Sequence, residues 1–83
     1  MAKLDYHNIE KDPDRCGGRA TITGTRIRVC TILTCYREGM TVEEIVQQYP
    51  YLRPAEIHDA LAYAYDHPDE IKADLAADDE AAV

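Results

Sequence analysis

Residues 16–29 read CGGRATITGTRIRV, and this stretch sets how the fold begins. Apolar and polar side chains alternate on both sides of the loop Thr23-Gly24-Thr25, and such alternation is typical of a β-strand with one buried face. A three-residue loop that contains glycine commonly connects two antiparallel strands. We therefore expect a short β-hairpin over residues 19–29, and a strand of three or four residues around Tyr6 and Ile9 could pair with it. The buried face of the hairpin would carry Ala20, Ile22, Ile27 and Val29.

After this hairpin the apolar residues recur at intervals of three and four, which is the spacing of one face of an α-helix. The pattern predicts helices over residues 30–38, 42–49 and 54–66. Gly39 should end the first helix, because glycine readily adopts the left-handed backbone of a helix cap. Thr41 and Glu44 predict a capping box at the start of the second. Pro54 suits the first position of the third helix, and the short connection before it indicates a tri-helical helix-turn-helix.

The fold class is therefore mostly α, with a short N-terminal β-hairpin, a helix-turn-helix and a weaker C-terminal helix. The last helix follows Pro68 and has only Ile71 and Leu75 as apolar anchors. The final five or so residues should fray, since little burial offsets the entropy lost on ordering. We divide the chain into a hairpin and helix-turn-helix domain, residues 1–67, and an acidic C-terminal helix with a frayed tail, residues 68–83.

Charge is distributed unevenly along this chain of 83 residues. Residues 1–41 hold seven lysines and arginines against five acidic residues, whereas residues 42–83 hold two against eleven. The two ends therefore suit different partners, unless the acidic end only keeps the protein soluble. Six tyrosines supply all the aromatic side chains. They suit the edge of a monomer's core or the interface of a homodimer equally well, although a second copy would help such a small core.

Several classes of site are disfavoured. No apolar run approaches the roughly 18 residues of a membrane span, and the N-terminus lacks a signal-peptide core, so we expect a cytoplasmic protein. The odd number of cysteines then favours reduced thiols. Cys16, Cys30 and Cys35 show no metal-ligand spacing with the histidines, so we expect neither a metal nor a cofactor. Cys16 with His7 or His58 could make a nucleophile and base, but no spacing links them, and we expect no enzymatic activity.

The outer face of the hairpin is the best candidate for a nucleic-acid surface. A two-stranded ribbon fits the major groove of DNA, and arginine binds phosphate or guanine through two hydrogen bonds. The alternative is that these arginines pair with nearby acids such as Asp12 and Asp14. The third helix has no lysine or arginine with which to contact phosphates, although one arginine lies just before it. The candidate residues are Arg19, Arg26, Arg28 and Arg53.

The acidic end is a candidate surface for a protein partner. Its carboxylates could imitate phosphate and lie on the basic groove of an RNA-binding protein, or they could simply be solvated. The candidate residues are Asp66, Asp69, Glu70 and Asp74, with Asp78, Asp79 and Glu80 beyond them.

The order of several motifs resembles the domain-of-unknown-function family 433. These motifs are CGGR at 16–19, ITGTRIRV at 22–29, GMTVEEI at 39–45, YPYL at 49–52 and ALAY at 60–63. The resemblance covers roughly residues 6–70. It implies a β-hairpin joined to a homeodomain-like helix-turn-helix, usually dimeric, in an antitoxin encoded beside a PIN-like ribonuclease toxin. Arg53 departs from the family, whose members often have Ser or Thr there, so the cap of the third helix should be weaker or built differently.

From these residues and this resemblance we expect an antitoxin-like protein without enzymatic activity. It would bind and neutralise a PIN-like ribonuclease and, as a complex, regulate its own promoter DNA. Two alternatives stay open: a DNA-binding transcriptional regulator that acts alone, and a protein-interaction adaptor that binds no nucleic acid.

Overall fold

The computed structural model describes Tyr6, residues 8–14 and residues 16–82. Two short strands precede the helices. The strands are β1 (Ile9–Lys11) and β2 (Ala20–Ile22), and the helices are α1 (Val29–Arg37), α2 (Val42–Gln48), α3 (Pro54–Asp66) and α4 (Pro68–Ala82). The predicted fold class is confirmed, because the protein is mostly helical with an N-terminal two-stranded antiparallel hairpin.

Strand β2 pairs with β1, whereas the alternation predicted a partner in residues 26–29. Ile9 lies opposite Ile22 in the register of the β1–β2 pair. The chain does turn back after β2, since the Ile22 amide donates to the Ile27 carbonyl over 2.9 Å. Helix α1 already begins at Val29, however, so residues 26–29 cannot continue as a strand and only one isolated bridge forms there. The predicted buried face is correct: the buried residues include Ala20, Ile22, Ile27 and Val29.

Local capping signals fix the ends of the helices. Gly39 follows α1 with a φ of 101°, a backbone conformation that side chains with a Cβ rarely adopt. The predicted capping box at the start of α2 is present: the Glu44 amide donates to Thr41 Oγ1 over 3.1 Å, and the Thr41 amide donates to Glu44 Oε1 over 2.8 Å. Helix α3 has the predicted bounds. Tyr36 is a correction, because its helical spacing predicted a core position and it is exposed.

Helix α4 shares the core of the other elements. Ile71 is 1% exposed and belongs to the same buried cluster as Ile22, Ile32, Ile45 and Ile57. Leu75 packs partly against that cluster, as the sequence predicted for the second anchor. The helical backbone continues to Ala82, and fraying of the last residues stays a prediction. None of the helices in the described part of the chain is long and apolar enough to cross a membrane.

Candidate functional site

The three hairpin arginines lie on one connected segment, but each is already engaged. Arg26 is exposed in the turn after β2, whereas Arg19 and Arg28 are half-buried. The bridge between Arg28 and Thr21 brings the end of this segment back beside β2, two residues from Arg19. Each arginine makes at least one hydrogen bond, ion pair or other electrostatic or ring contact within the protein. A nucleic acid would therefore have to compete with contacts that the fold already provides.

Arg53 belongs to a different element and contacts the segment before β1. It is the N-cap of α3, and its Nη2 donates to Asn8 Oδ1 over 3.4 Å. A guanidinium has no acceptor, so it cannot cap the helix as Ser or Thr does. Instead the Arg53 amide donates to Glu56 Oε1 over 2.7 Å. The cap of α3 is therefore built differently, as the substitution at this position predicted.

Asn8 is a buried polar residue that the sequence gave no reason to select. Its Nδ2 donates to Asp59 Oδ2 over 2.8 Å, while its Oδ1 accepts from Arg53. Burial of an amide is costly unless both its donor and its acceptor are satisfied. Asn8 meets both requirements by joining the start of β1 to the first turns of α3.

Two of the four predicted partner-binding acids are hydrogen-bonded inside the protein. The Tyr6 hydroxyl donates to Asp66 Oδ2. The Tyr63 hydroxyl donates to Glu70, 2.9 Å from either carboxylate oxygen, and Lys11 Nζ lies 2.9 Å from Glu70 Oε2. These contacts tie the N-terminal segment to the junction of α3 and α4.

The remaining two predicted acids lie on α4. Asp69 is exposed near the start of the helix, and Asp74 is half-buried one turn later with a contact of its own within the protein. Of the four, Asp69 is the one whose surroundings most resemble the solvated carboxylate that the sequence predicted.

The contacts around Glu70 change the pKa of its two donors. The hydrogen bond to Glu70 raises the pKa of Lys11, against the opposing effect of burial. Burial raises the pKa of Tyr63, and the hydrogen bond to Glu70 acts in the same direction. Both groups therefore keep their protons at neutral pH, and the cluster holds an ion pair between Lys11 and Glu70 beside a neutral phenol.

Aromatic rings cover this same junction. The ring of Tyr63 stacks on His67 with centroids 4.2 Å apart, and the ring of Tyr6 meets Tyr63 edge-on at 5.3 Å. The His67 ring nitrogen Nδ1 also lies 3.1 Å from the Tyr63 carbonyl oxygen. His67, the one residue between α3 and α4, is thus held by ring packing as well as by its backbone hydrogen bond to Tyr63.

A groove that is open to solvent lies where α1, α3 and α4 meet. The residues that line it include Leu33, Ala64, Tyr65, Ile71 and Leu75. Its floor is apolar and buried, and Tyr65 lines it while 55% exposed. Two cations also line the groove, Arg37 from α1 and Lys72 from α4. Sequence reasoning missed this site, although the helical spacing of Pro68, Ile71, Lys72 and Leu75 places all four on one face of α4.

No metal-binding cluster is found among the residues that the structure describes. The cysteine–histidine pairs considered above depend on His7 and on the Cys16 side chain, which lie outside the described residues. His58 is exposed on α3. Cys30 is buried, and burial together with the nearby Glu38 raises the pKa of Cys35, which disfavours the reactive thiolate. Within residues 8–14 and 16–82, no group of three or more His, Cys, Asp or Glu could hold a metal ion.

Comparisons with known proteins place this fold in a family. The model of the family described as "Protein of unknown function (DUF433)" matches residues 9–64. The crystal structure of a DUF433 member protein from Anabaena variabilis superposes with a TM-score of 0.78 at 32% sequence identity, over 83% of this chain and 68% of that one. No curated protein matches the sequence. The match covers the hairpin and the first three helices, and on this evidence the chain belongs to the DUF433 family.

Proposed function

We propose that this protein is the antitoxin-like member of a toxin–antitoxin pair, and that it binds and neutralises a PIN-like ribonuclease in the cytoplasm. One observation supports the binding role: three tyrosines stay exposed, Tyr36 at 43%, Tyr51 at 67% and Tyr65 at 55%. Tyrosine is enriched at protein interfaces and frequent among the residues that dominate binding energy. The nature of the partner comes from the family resemblance and is part of the proposal.

The exposed tyrosines lie on different parts of the fold. Tyr65 lines the groove between α1, α3 and α4, and Tyr36 lies in the last turn of α1. Tyr51 lies in the connection between α2 and α3. The side of the protein on which the C-terminal turns of α1 and α3 meet α4 is therefore the proposed contact surface for the ribonuclease.

The acidic residues of α4 are proposed to oppose the basic RNA-binding surface of the ribonuclease. Asp69 is the best placed of the four for this role, because it is exposed, whereas Asp66 and Glu70 accept hydrogen bonds within the protein and the half-buried Asp74 has a contact of its own. In this proposal Asp66 and Glu70 position the helix, and their neighbours meet the partner. Carboxylates so placed would occupy positions that RNA phosphates otherwise take.

DNA binding is the second candidate, favoured by the exposed positions of Arg26 and Arg53. Helix α3 offers little to DNA, because its exposed residues between Pro54 and Asp66 include alanine, histidine and tyrosine but no lysine or arginine. Phosphate contacts supply most of the affinity of DNA-binding proteins. We therefore propose that promoter DNA is bound by the complex with the ribonuclease and not by this protein alone.

Co-expression with the product of the neighbouring gene tests the proposal. We expect a tagged copy of this protein to retain a small nuclease through purification and to suppress its cleavage of RNA. Failure to co-purify with a nuclease contradicts the antitoxin role. Binding without inhibition favours the adaptor. Binding of the isolated protein to its promoter, with affinity that falls steeply as salt rises, favours the independent regulator.

Neutral substitutions test the acidic residues of α4 better than removal of the helix does. Removal of α4 would also take Ile71 out of the core and so disturb the fold. We expect Asp69→Asn combined with Asp74→Asn to weaken inhibition of the nuclease. Asp14→Asn combined with Glu43→Gln removes the same charge from exposed positions on other parts of the fold and serves as the control. Equal inhibition by both double variants would exclude these α4 carboxylates from the inhibitory contact.

A further inference from the structure

We propose that the groove between α1, α3 and α4 binds an acidic, partly apolar segment of the partner protein, with its carboxylates paired to Arg37 and Lys72. This inference rests on the proposed function only in naming the ribonuclease as the protein that presents the segment. The evidence is the distribution of cations in the described part of the chain and the chemistry of the residues that line the groove.

Cations in the described part of the chain fall into two groups. Five are engaged: Lys11 with Glu70, Arg53 with Asn8 and Glu56, and Arg19, Arg26 and Arg28 with contacts of their own. Within residues 8–14 and 16–82, Arg37 and Lys72 make no hydrogen bond or ion pair through their side chains. Both line the same groove, although their helices, α1 and α4, are far apart in the sequence. In a protein of net charge −7, two unpaired cations at one site mark a place where an anion is favoured.

Helix electrostatics explains only one of the two. Arg37 lies in the last turn of α1, where a positive charge interacts favourably with the helix dipole. Lys72 lies in the second turn of α4, beyond the first turn in which the helix dipole acts, so the dipole does not account for a cation there. It is also the only lysine or arginine in residues 54–83. Its place at the groove therefore adds a positive charge to an otherwise acidic half of the chain.

The rest of the groove defines the chemistry of the occupant. Leu33, Ala64 and Ile71 form a buried apolar floor, and Tyr65 adds a half-exposed aromatic surface. An inorganic anion or a nucleic-acid backbone would gain nothing from this floor, whereas an apolar side chain would be removed from water on it. A helix or extended segment with one apolar anchor flanked by Asp or Glu satisfies both the floor and the two cations.

Charge reversal at the rim tests the inference with the purified nuclease from the neighbouring gene. We expect Arg37→Glu and Lys72→Glu each to weaken its dissociation constant about 10-fold, and the salt dependence of binding to decrease with each. Arg37→Lys and Lys72→Arg should keep near-wild-type affinity. The control is Gln47→Glu combined with Gln48→Glu, which makes the same change of −2 in net charge at exposed positions on α2.

The outcomes separate this inference from the proposed function. If the wild-type protein does not bind the nuclease, the proposed function fails and the inference falls with it. If the wild-type protein binds but the reversals weaken binding no more than the control, the groove inference alone is overturned. Light scattering on the same variants supplies the remaining outcome: a wild-type dimer that the reversals dissociate would show that the occupant is a second copy of this chain, which also overturns the inference.

Discussion

Replacement of Ile71 by alanine tests whether α4 folds as one unit with α1 and α3. Ile71 is 1% exposed and lies in the groove floor with Leu33 and Ala64. Truncation of a buried isoleucine to alanine costs about 2–5 kcal/mol, from lost transfer free energy and from the cavity left behind. The groove opens to solvent beside this side chain, so its neighbours can relax into the space. We therefore expect a loss in the lower half of that range, about 2–3 kcal/mol.

Such a loss is large for a domain of this size, whose total free energy of unfolding should be about 4–12 kcal/mol. It should lower the melting temperature by about 10–20 °C. Urea denaturation followed by far-ultraviolet circular dichroism and by tyrosine fluorescence measures the change. Because tyrosines lie on α1, α3 and the segments between helices, coincidence of the two transitions would show that α4 and the rest unfold together.

Ala76→Gly provides the matched control, because Ala76 is exposed on the same helix. That substitution reduces helix propensity without removing a core contact and should cost at most about 1 kcal/mol. If Ile71→Ala costs no more than Ala76→Gly, α4 is not docked on the body of the protein. The groove that α4 helps to form would then not exist in solution, and Arg37 and Lys72 would not share a binding site.

Three further substitutions test individual contacts. Glu70→Gln should reduce the loss of stability above about pH 10. The hydrogen bond to Glu70 raises the pKa of Lys11, so the folded protein holds a proton that the unfolded chain releases. This stabilisation is present below the pKa of Lys11 in the unfolded chain, and it is lost as the pH rises through the pKa of Lys11 in the folded protein. Urea midpoints at neutral and alkaline pH measure this, and an identical alkaline loss in both proteins would refute it. Asn8→Ala should cost about 1–3 kcal/mol in urea unfolding, because it removes both the donor to the partly buried Asp59 carboxylate and the acceptor of Arg53. Asp59→Asn keeps an acceptor and should cost less, and the reverse order would contradict the assigned contact. Gly39→Ala should lower the free energy of unfolding by about 1–2 kcal/mol through backbone strain alone, since a Cβ there would meet no atom within 4 Å. An unchanged melting temperature would show that the turn can adopt another backbone conformation.

The helices could be predicted from sequence because their signals are local. Gly39 ends α1, Thr41 and Glu44 begin α2, and Pro54 begins α3, each through contacts with residues a few positions away. The partner of β2 could not be predicted in the same way. Residues 26–29 follow a short turn and alternate correctly, so local rules favoured them over residues 9–11. The start of α1 excludes a strand over residues 26–29, because Val29 cannot be both the end of a strand and the first residue of a helix.

The surface features depended on contacts that no spacing rule reveals. Asn8 and Asp59 are 51 positions apart, and Tyr6 and Asp66 are 60 apart. Helical periodicity placed Ile71 and Leu75 on one face of α4, but it gave no indication that Arg37 would lie at the same groove as Lys72. The sequence therefore shows which residues carry charge, but only the fold shows which of these residues are already paired.

This distinction changes where an acidic protein of this kind is expected to meet a charged partner. The sequence indicated the hairpin as the surface for a charged partner, because three arginines lie within ten residues there. A cation that already has a contact within the protein must give it up or share it before it can bind a ligand, which reduces the net gain. Arg37 and Lys72 are far apart in sequence and inconspicuous there, yet neither has to exchange an existing side-chain contact with the described residues. The gain from pairing with an incoming carboxylate is therefore larger at the groove, and the apolar floor beneath these two cations adds a contribution that the hairpin arginines lack.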